Sequence, residues 1–267
     1  MLSNSELVEY KSIGVLKLNL PPEIMKLSDK FLEELADYVN YYFGSKFADQ
    51  PTEKRLHSIA LESRNEIGKL YQVVRRFPSM KQLACHDWFV SISKKLMETN
   101  VVSCCNFVAA RFDFPGESKY ATAPHQDFPY IQGSPDALTF WVPFVEIPFE
   151  TGAPSYVPKS HLDGPQVVVE GEINKLNGTA SVEAVDLRKW STLEFKKIEV
   201  KRNECLVFST NLVHKSEPNL SDYCRITTQL RFDNLLNKVS WSKGFPEGLY
   251  LGQKLSASYP ELVRKSL

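Results

Sequence analysis

No run of this chain is apolar for long enough to cross a bilayer, and its opening, Met1-Leu2-Ser3-Asn4-Ser5-Glu6, lacks the basic start and apolar stretch of a secretory signal. A cytoplasmic protein without a membrane partner is the expectation. Excess charge is missing too: 32 basic side chains meet 32 acidic ones. No cluster of basic residues is long enough to track a phosphate backbone, so nucleic acid is not an expected partner. Lys196-Lys197 and Lys201-Arg202 read as solvated strand ends. Cysteine is scarce and odd in number, at 85, 104, 105, 205 and 224. Without framework spacing these read as reduced thiols that fill core positions. Adjacent residues of a strand face opposite ways, which argues against Cys104-Cys105 as a redox pair. Internal repeats and low-complexity tracts are absent.

What is present is enough chain, 267 residues, to bury a large core as a single domain, 1–267. Its first hundred residues have a helical period. Pro21-Pro22 opens a run in which Ile24, Leu27, Phe31, Leu32, Leu35, Tyr38 and Tyr42 recur at three- and four-residue steps. A second pattern covers Ile67 to Phe77 and stops at Pro78; a third covers Met80 to Glu98. From Val101 the period changes. Val101–Phe112, Ala137–Ile147, Cys205–Phe208 and Ile226–Phe232 are short runs rich in β-branched and aromatic residues, separated by Gly, Pro, Asn and Asp. Many short strands after a helical part predict an α+β fold: a barrel or jelly roll over 101–235, N-terminal helices (1–100) packed on one face, and a C-terminal tail over 236–267. Asp163–Trp190 is polar with little periodicity, and reads equally as a lid over a site or as a surface insertion.

The chemistry concentrates in His125-Gln126-Asp127. On a strand, residues two apart share a face, so an imidazole and a carboxylate here would grip one ion from one side. A third ligand is available in His214. Two histidines and one carboxylate are the ligand set of non-haem Fe(II) oxygenases. The tripeptide alone is common; the segment around His214 is more specific, because Ser216 follows two residues later and Arg225 eleven residues later.

In these residues the chain resembles the phytanoyl-CoA dioxygenase-like family of Fe(II)/2-oxoglutarate-dependent oxygenases. The stretch Glu150-Thr151-Gly152 to Val157-Pro158-Lys159-Ser160-His161 is also similar to a family motif, with Lys159 where the family usually has glycine. The resemblance covers about Val101 to Asp233. It implies a double-stranded β-helix (jelly roll, cupin-like) whose mouth holds Fe(II) on His125, Asp127 and His214, with 2-oxoglutarate as cosubstrate and O2 as oxidant. The implied reaction hydroxylates an unactivated C–H bond of a small, polar metabolite and releases succinate and CO2. Halogenases of this class lack the carboxylate ligand, so Asp127 favours hydroxylation.

The far carboxylate of 2-oxoglutarate needs a fixed cation, and a guanidinium fork matches it. Arg225 takes that role in the resemblance, with Ser216 adding a hydroxyl donor; its other reading is a salt bridge at a strand start. Trp141 resembles the family tryptophan that flanks 2-oxoglutarate, and alternation puts Thr139 on the same face; a core tryptophan is the alternative. Substrate contacts fall to Arg111, Lys119, Tyr120, Gln126, Tyr130 and Arg231, each with a surface role as its alternative. His57, His86 and His161 read as structural. Two other classes stay open: a jelly-roll binding or sensing protein without turnover, and a cupin-like metalloenzyme that does not use 2-oxoglutarate.

Overall fold

The computed structural model describes residues 2–104, 108, 110–117, 124–174, 182–185, 194–248 and 252–265. The helical part begins with α1 (Asn4–Ile13), opened by a reciprocal Ser3–Glu6 capping box and closed by Gly14 in the left-handed region, and leads into β1 (Val15–Asn19). Helix α2 (Pro22–Phe43) starts on a proline at its first turn, and its buried stripe includes Ile24, Phe31, Leu35 and Val39. Then come α3 (Thr52–Gly68), α4 (Leu70–Val74), α5 (Pro78–Ala84) and α6 (Asp87–Leu96). The single helix expected over Met80–Glu98 is thus two. At the break His86 is extended, and its Nδ1 accepts from Trp88 N at 3.2 Å, which caps α6. No helix among the described residues is long and apolar enough to cross a membrane.

The strands follow as β2 (Val102–Cys104), β3 (Ala110–Asp113), a short helix α7 (Phe128–Ile131), β4 (Leu138–Pro143), β5 (Ser155–Tyr156), β6 (Val168–Asn174), β7 (Val182–Val185), β8 (Lys196–Lys197), β9 (Glu204–Ser209), β10 (His214–Lys215) and β11 (Arg225–Asn234). After them come α8 (Lys238–Ser242) and β12 (Val263–Lys265). The large sheet runs β1-β9-β4-β11-β2, with β3 also paired to β11. Facing it, β10-β5-β8 form a small sheet that a single His125–His214 bridge extends on one side. This is a double-stranded β-helix with an α+β composition. Helices cover the outer face of the large sheet: Phe31 of α2 stacks on Phe144 at 4.1 Å between ring centroids, and Phe89 of α6 meets Phe140 of β4 edge-on at 4.9 Å.

The stretch Asp163–Trp190, read as aperiodic, holds β6 and β7, which pair antiparallel and take β12 alongside β6. The β-branched run Val167-Val168-Val169 and Ile173 give the segment strand propensity within an otherwise polar sequence. Residues 175–181 and 186–190 lie outside the described set. Val168 of β6 packs with Phe128, Leu255 and Tyr259 in a small apolar cluster beside α7, so the hairpin and the C-terminal segment meet next to Asp127.

Candidate active site

Strand register decides which side chains face the hollow between the two sheets. Residues directly opposite in an antiparallel pair share a face. Arg231 is opposite Thr139, Gln229 opposite Trp141 and Thr227 opposite Pro143; on the other flank Arg225 is opposite Asp113 and Thr227 opposite Arg111. The inner row of β11 is therefore Arg225, Thr227, Gln229 and Arg231. Ile226, Leu230 and Phe232 alternate with it and enter the main hydrophobic core. Thr139 is in turn opposite Phe208 of β9, which brings that aromatic ring inward.

His125 and His214 exchange backbone hydrogen bonds in both directions, each at 2.9 Å. Such a reciprocal pair projects both side chains to one face, and the rings lie 4.2 Å apart between centroids. Asp127 arrives differently from the expectation of a strand. It has helical dihedrals (φ −72, ψ −30) at the start of α7, so the period-two geometry ends after His125. Its carboxylate still converges. Oδ1 is 3.7 Å from His125 Nε2 and 3.9 Å from His214 Nε2, and the three ligand atoms all lie within 4.8 Å of one another. All three residues are buried.

The donor set fits a divalent transition metal for reasons beyond proximity. His214 Nδ1 lies 2.9 Å from the Leu212 carbonyl, so it carries the proton and leaves the Nε2 lone pair facing the other ligands. Burial, reinforced by the neighbouring His125, pushes the His214 pKa down to about 4, which keeps the ring neutral as a ligand must be. Burial works against charge on Asp127, yet Arg231 and the two imidazoles hold its carboxyl well below the usual carboxylate range. The oxygen turned away from the histidines, Oδ2, accepts from Thr139 Oγ1 at 2.8 Å and faces Arg231 Nε at 3.4 Å. Oδ1 is left for an ion.

The loop that delivers His214 is braced by the Val157–His161 motif. Ser160 Oγ accepts from Val213 N at 2.8 Å and donates to the Val157 carbonyl. Lys159 has φ +69, the left-handed region, which is why a glycine suits this turn. His161 does not reach the metal ligands; its Nε2 lies 3.1 Å from the Lys11 carbonyl and its ring packs over Gly14. His86 is the helix cap described above, and His57 sits half-buried in α3.

Arg225 is buried, with only 3% of its surface exposed. Its Nε and Nη2 face Asp113 Oδ2 at 3.1 and 3.0 Å. Nη1 donates to the carbonyls of Thr151 (3.2 Å) and Gly152, with Glu217 O at 3.4 Å. Gly152 is required here twice over: its φ is +81, and a Cβ would stand 2.5 Å from Arg225 Nη1 and 2.4 Å from the Glu217 carbonyl oxygen. Asp113 also accepts from Arg111 Nε at 2.7 Å on Oδ1. Burial opposes its ionisation, but the two guanidiniums hold its pKa below the usual range.

The other expected residues divide. Trp141 and Thr139 are on the inner face, Thr139 with its hydroxyl on Asp127. Ser216 is half-buried just beyond β10. Tyr130 places its ring edge-on to His125 at 5.8 Å, and Arg231 touches Asp127. Arg111 is tied to Asp113. Gln126, expected to contact substrate, is instead fully buried with its amide bonded at both ends: Nε2 to the carbonyls of Gly164 (3.0 Å) and Asn211 (2.5 Å), Oε1 to Gln166 N (2.8 Å). The backbone turn that aims His125 and Asp127 inward aims the residue between them outward. Lys119 and Tyr120 lie outside the described residues. Sequence reasoning missed Asp113, Thr227 and Phe208, the last with its ring 4.7 Å from His214. Alternation along their strands was the available signal.

A jelly roll whose hollow is lined by two histidines and a carboxylate carries the ligand set of the non-haem iron oxygenases. The chain belongs to the phytanoyl-CoA dioxygenase (PhyH) family, whose model matches residues 20–227. It is thereby an oxygenase of the class that works with iron, 2-oxoglutarate and O2. Phytanoyl-CoA dioxygenase domain-containing protein 1 of Rattus norvegicus is 23% identical over 228 residues, 81% of this chain and 72% of that protein. The homolog of that protein in Dictyostelium discoideum is 25% identical over 109 residues, and the match spans 39% of its length. Among solved structures, EctD from S. alaskensis with 2-oxoglutarate and 5-hydroxyectoine shares the fold at a TM-score of 0.60 with 13% identity, over 99% of this chain and 88% of EctD. The epimerase SnoN, solved with Fe3+, alpha ketoglutarate and nogalamycin RO, shares it at 0.56 with 18% identity, over 86% of this chain and 82% of SnoN.

Proposed function

We propose that this chain hydroxylates a C–H bond of a small, polar metabolite, with Fe(II) on His125, Asp127 and His214 and 2-oxoglutarate anchored through Arg225. The observation that carries this reading is the prior engagement of the ligands' outer atoms. Asp127 Oδ2 is held by Thr139 and Arg231, and His214 Nδ1 by Leu212, so two of the three ligands are already oriented with their remaining donor atom turned inward. When bound, iron and 2-oxoglutarate supply the oxidising chemistry: O2 is consumed, the 2-oxo acid loses CO2 to become succinate, and one oxygen atom enters the substrate.

The protein's part is position and exclusion of water. Arg225 supplies the fixed cation for the far carboxylate, and Ser216 and Trp141 stand as flanking donors. Thr139 orients Asp127, and a substrate would enter against Tyr130 and Arg231, whose polar tips favour a polar or anionic molecule.

The test starts without oxygen. Apo-protein given Fe(II) and 2-oxoglutarate should develop the weak visible charge-transfer band of the chelate, and admission of O2 should then release succinate. Absence of the band would refute the reading in favour of a metalloprotein that does not use 2-oxoglutarate; a band without succinate would make the chain a sensor. Asp127→Ala should abolish both signals.

A further inference from the structure

Two guanidiniums share one carboxylate on the inner face. Arg111 and Asp113 are two residues apart on β3 and so point the same way, and Asp113 is directly opposite Arg225 in the ladder. Arg111 Nε donates to both Asp113 oxygens, to Oδ1 at 2.7 Å and to Oδ2 at 3.0 Å, and Oδ2 also takes the Nε and Nη2 edge of Arg225. This trio carries one net positive charge. A single incoming carboxylate brings it to zero.

We propose that Arg111 and Asp113 set the affinity of Arg225 for the cosubstrate: Asp113 occupies the Nε and Nη2 edge of Arg225 as a competitor, and yields it to the far carboxylate of 2-oxoglutarate while staying paired with Arg111. The inference rests on the reading of Arg225 as the cosubstrate anchor. Three observations support the exchange. Arg225 Nη1 sits on the Thr151, Gly152 and Glu217 carbonyls, so the guanidinium keeps its place whether or not Asp113 remains. Its other edge is the one Asp113 occupies, and a carboxylate seeking two parallel hydrogen bonds must take that edge. Thr227, one same-face step from Arg225 and opposite Arg111, has a buried Oγ1 without a hydrogen-bond partner among the described residues. A hydroxyl desolvated in this way is a donor waiting for an acceptor, about 7 Å along the strand from Arg225.

Arg111 matters because without it the charges of Asp113 and Arg225 cancel, and a second carboxylate meets a neutral pair. Asp113 matters in the opposite sense, as a competitor that sets the affinity. Calorimetric titration of 2-oxoglutarate into Mn(II)-loaded protein, with the melting temperature of each variant recorded, separates these roles without turnover. Arg111→Gln should weaken binding at least about tenfold, since it removes a half-buried positive charge from the trio. Asp113→Asn should tighten it. The double variant Arg111→Gln/Asp113→Asn restores the single net charge and should return to within about threefold of the native constant. Arg111→Lys, which keeps the charge and perturbs the fold least, should also stay near native.

A double variant as weak as Arg111→Gln, or weaker binding in Asp113→Asn, overturns the proposal. So does native affinity in Arg111→Gln when Arg225→Gln binds poorly. Undiminished binding in Arg225→Gln would instead remove the anchor reading itself.

Discussion

Gly152→Ala is the substitution whose cost the structure sets most directly. The added methyl group meets two separate penalties. At φ +81 and ψ 52 the backbone is left-handed, which costs an L-residue about 1–2 kcal/mol. The Cβ would also lie 2.4 Å from the Glu217 carbonyl oxygen, 2.8 Å from that of Pro218 and 2.5 Å from Arg225 Nη1. Two of these three atoms are backbone and cannot rotate away, so a further 1–3 kcal/mol, roughly, follows from overpacking. The sum is about 2–5 kcal/mol, and at about 2–4 °C per kcal/mol for a chain of this size the melting temperature should fall by roughly 4–20 °C. Gly116→Ala is the control: its φ is +74, but nothing lies within 4 Å of its Cβ, so only the backbone penalty applies. Thermal unfolding followed by circular dichroism measures both variants, and calorimetric titration of 2-oxoglutarate should show weaker binding in Gly152→Ala alone, because Arg225 is pushed off its carbonyls. If Gly152→Ala loses no more stability than Gly116→Ala, the close seating of Arg225 against residues 152 and 217 is wrong.

The converse change, Lys159→Gly, should raise stability by about 1 kcal/mol, since an exposed lysine held at φ +69 gives way to the residue that tolerates it; thermal unfolding would show a rise of a few degrees, and a fall would contradict the assigned backbone. Thr139→Val removes the 2.8 Å donor to Asp127 Oδ2 at nearly constant volume, and should weaken Fe(II) or Mn(II) binding about 10- to 100-fold while the melting temperature of the metal-free protein moves little. Equal metal affinity in the two proteins would mean that Thr139 does not orient the ligand.

The architecture was legible because it rests on period and punctuation. Pro22 opens α2 where the proline pair predicts a start, and β4, β9 and β11 fall on the β-branched and aromatic runs. His125, Asp127 and His214 were legible as residue types at a spacing, and the structure brings them together. The route was not, for Asp127 reaches the ion position from a helical turn, and a tripeptide does not show where a strand ends. Gln126 was misjudged for the same reason: its burial depends on the loop carbonyls of Gly164 and Asn211, distant in sequence. Asp113 was invisible because its meaning lies in a cross-strand register with Arg225 that only the closed sheet establishes. The hairpin of β6 and β7 was hidden by polar residues around its valines.

The reciprocal backbone pair between His125 and His214 also bears on how the protein is made. Each histidine's N–H and C=O is satisfied by the other, so neither is set in place until both are. During synthesis His125 and Asp127 emerge long before His214, and a chain that has advanced only that far has one imidazole and one carboxylate of the triad. The third ligand comes with β10, and its pairing with residue 125 closes the small sheet on that side. Assembly of the candidate metal site therefore waits on completion of the barrel.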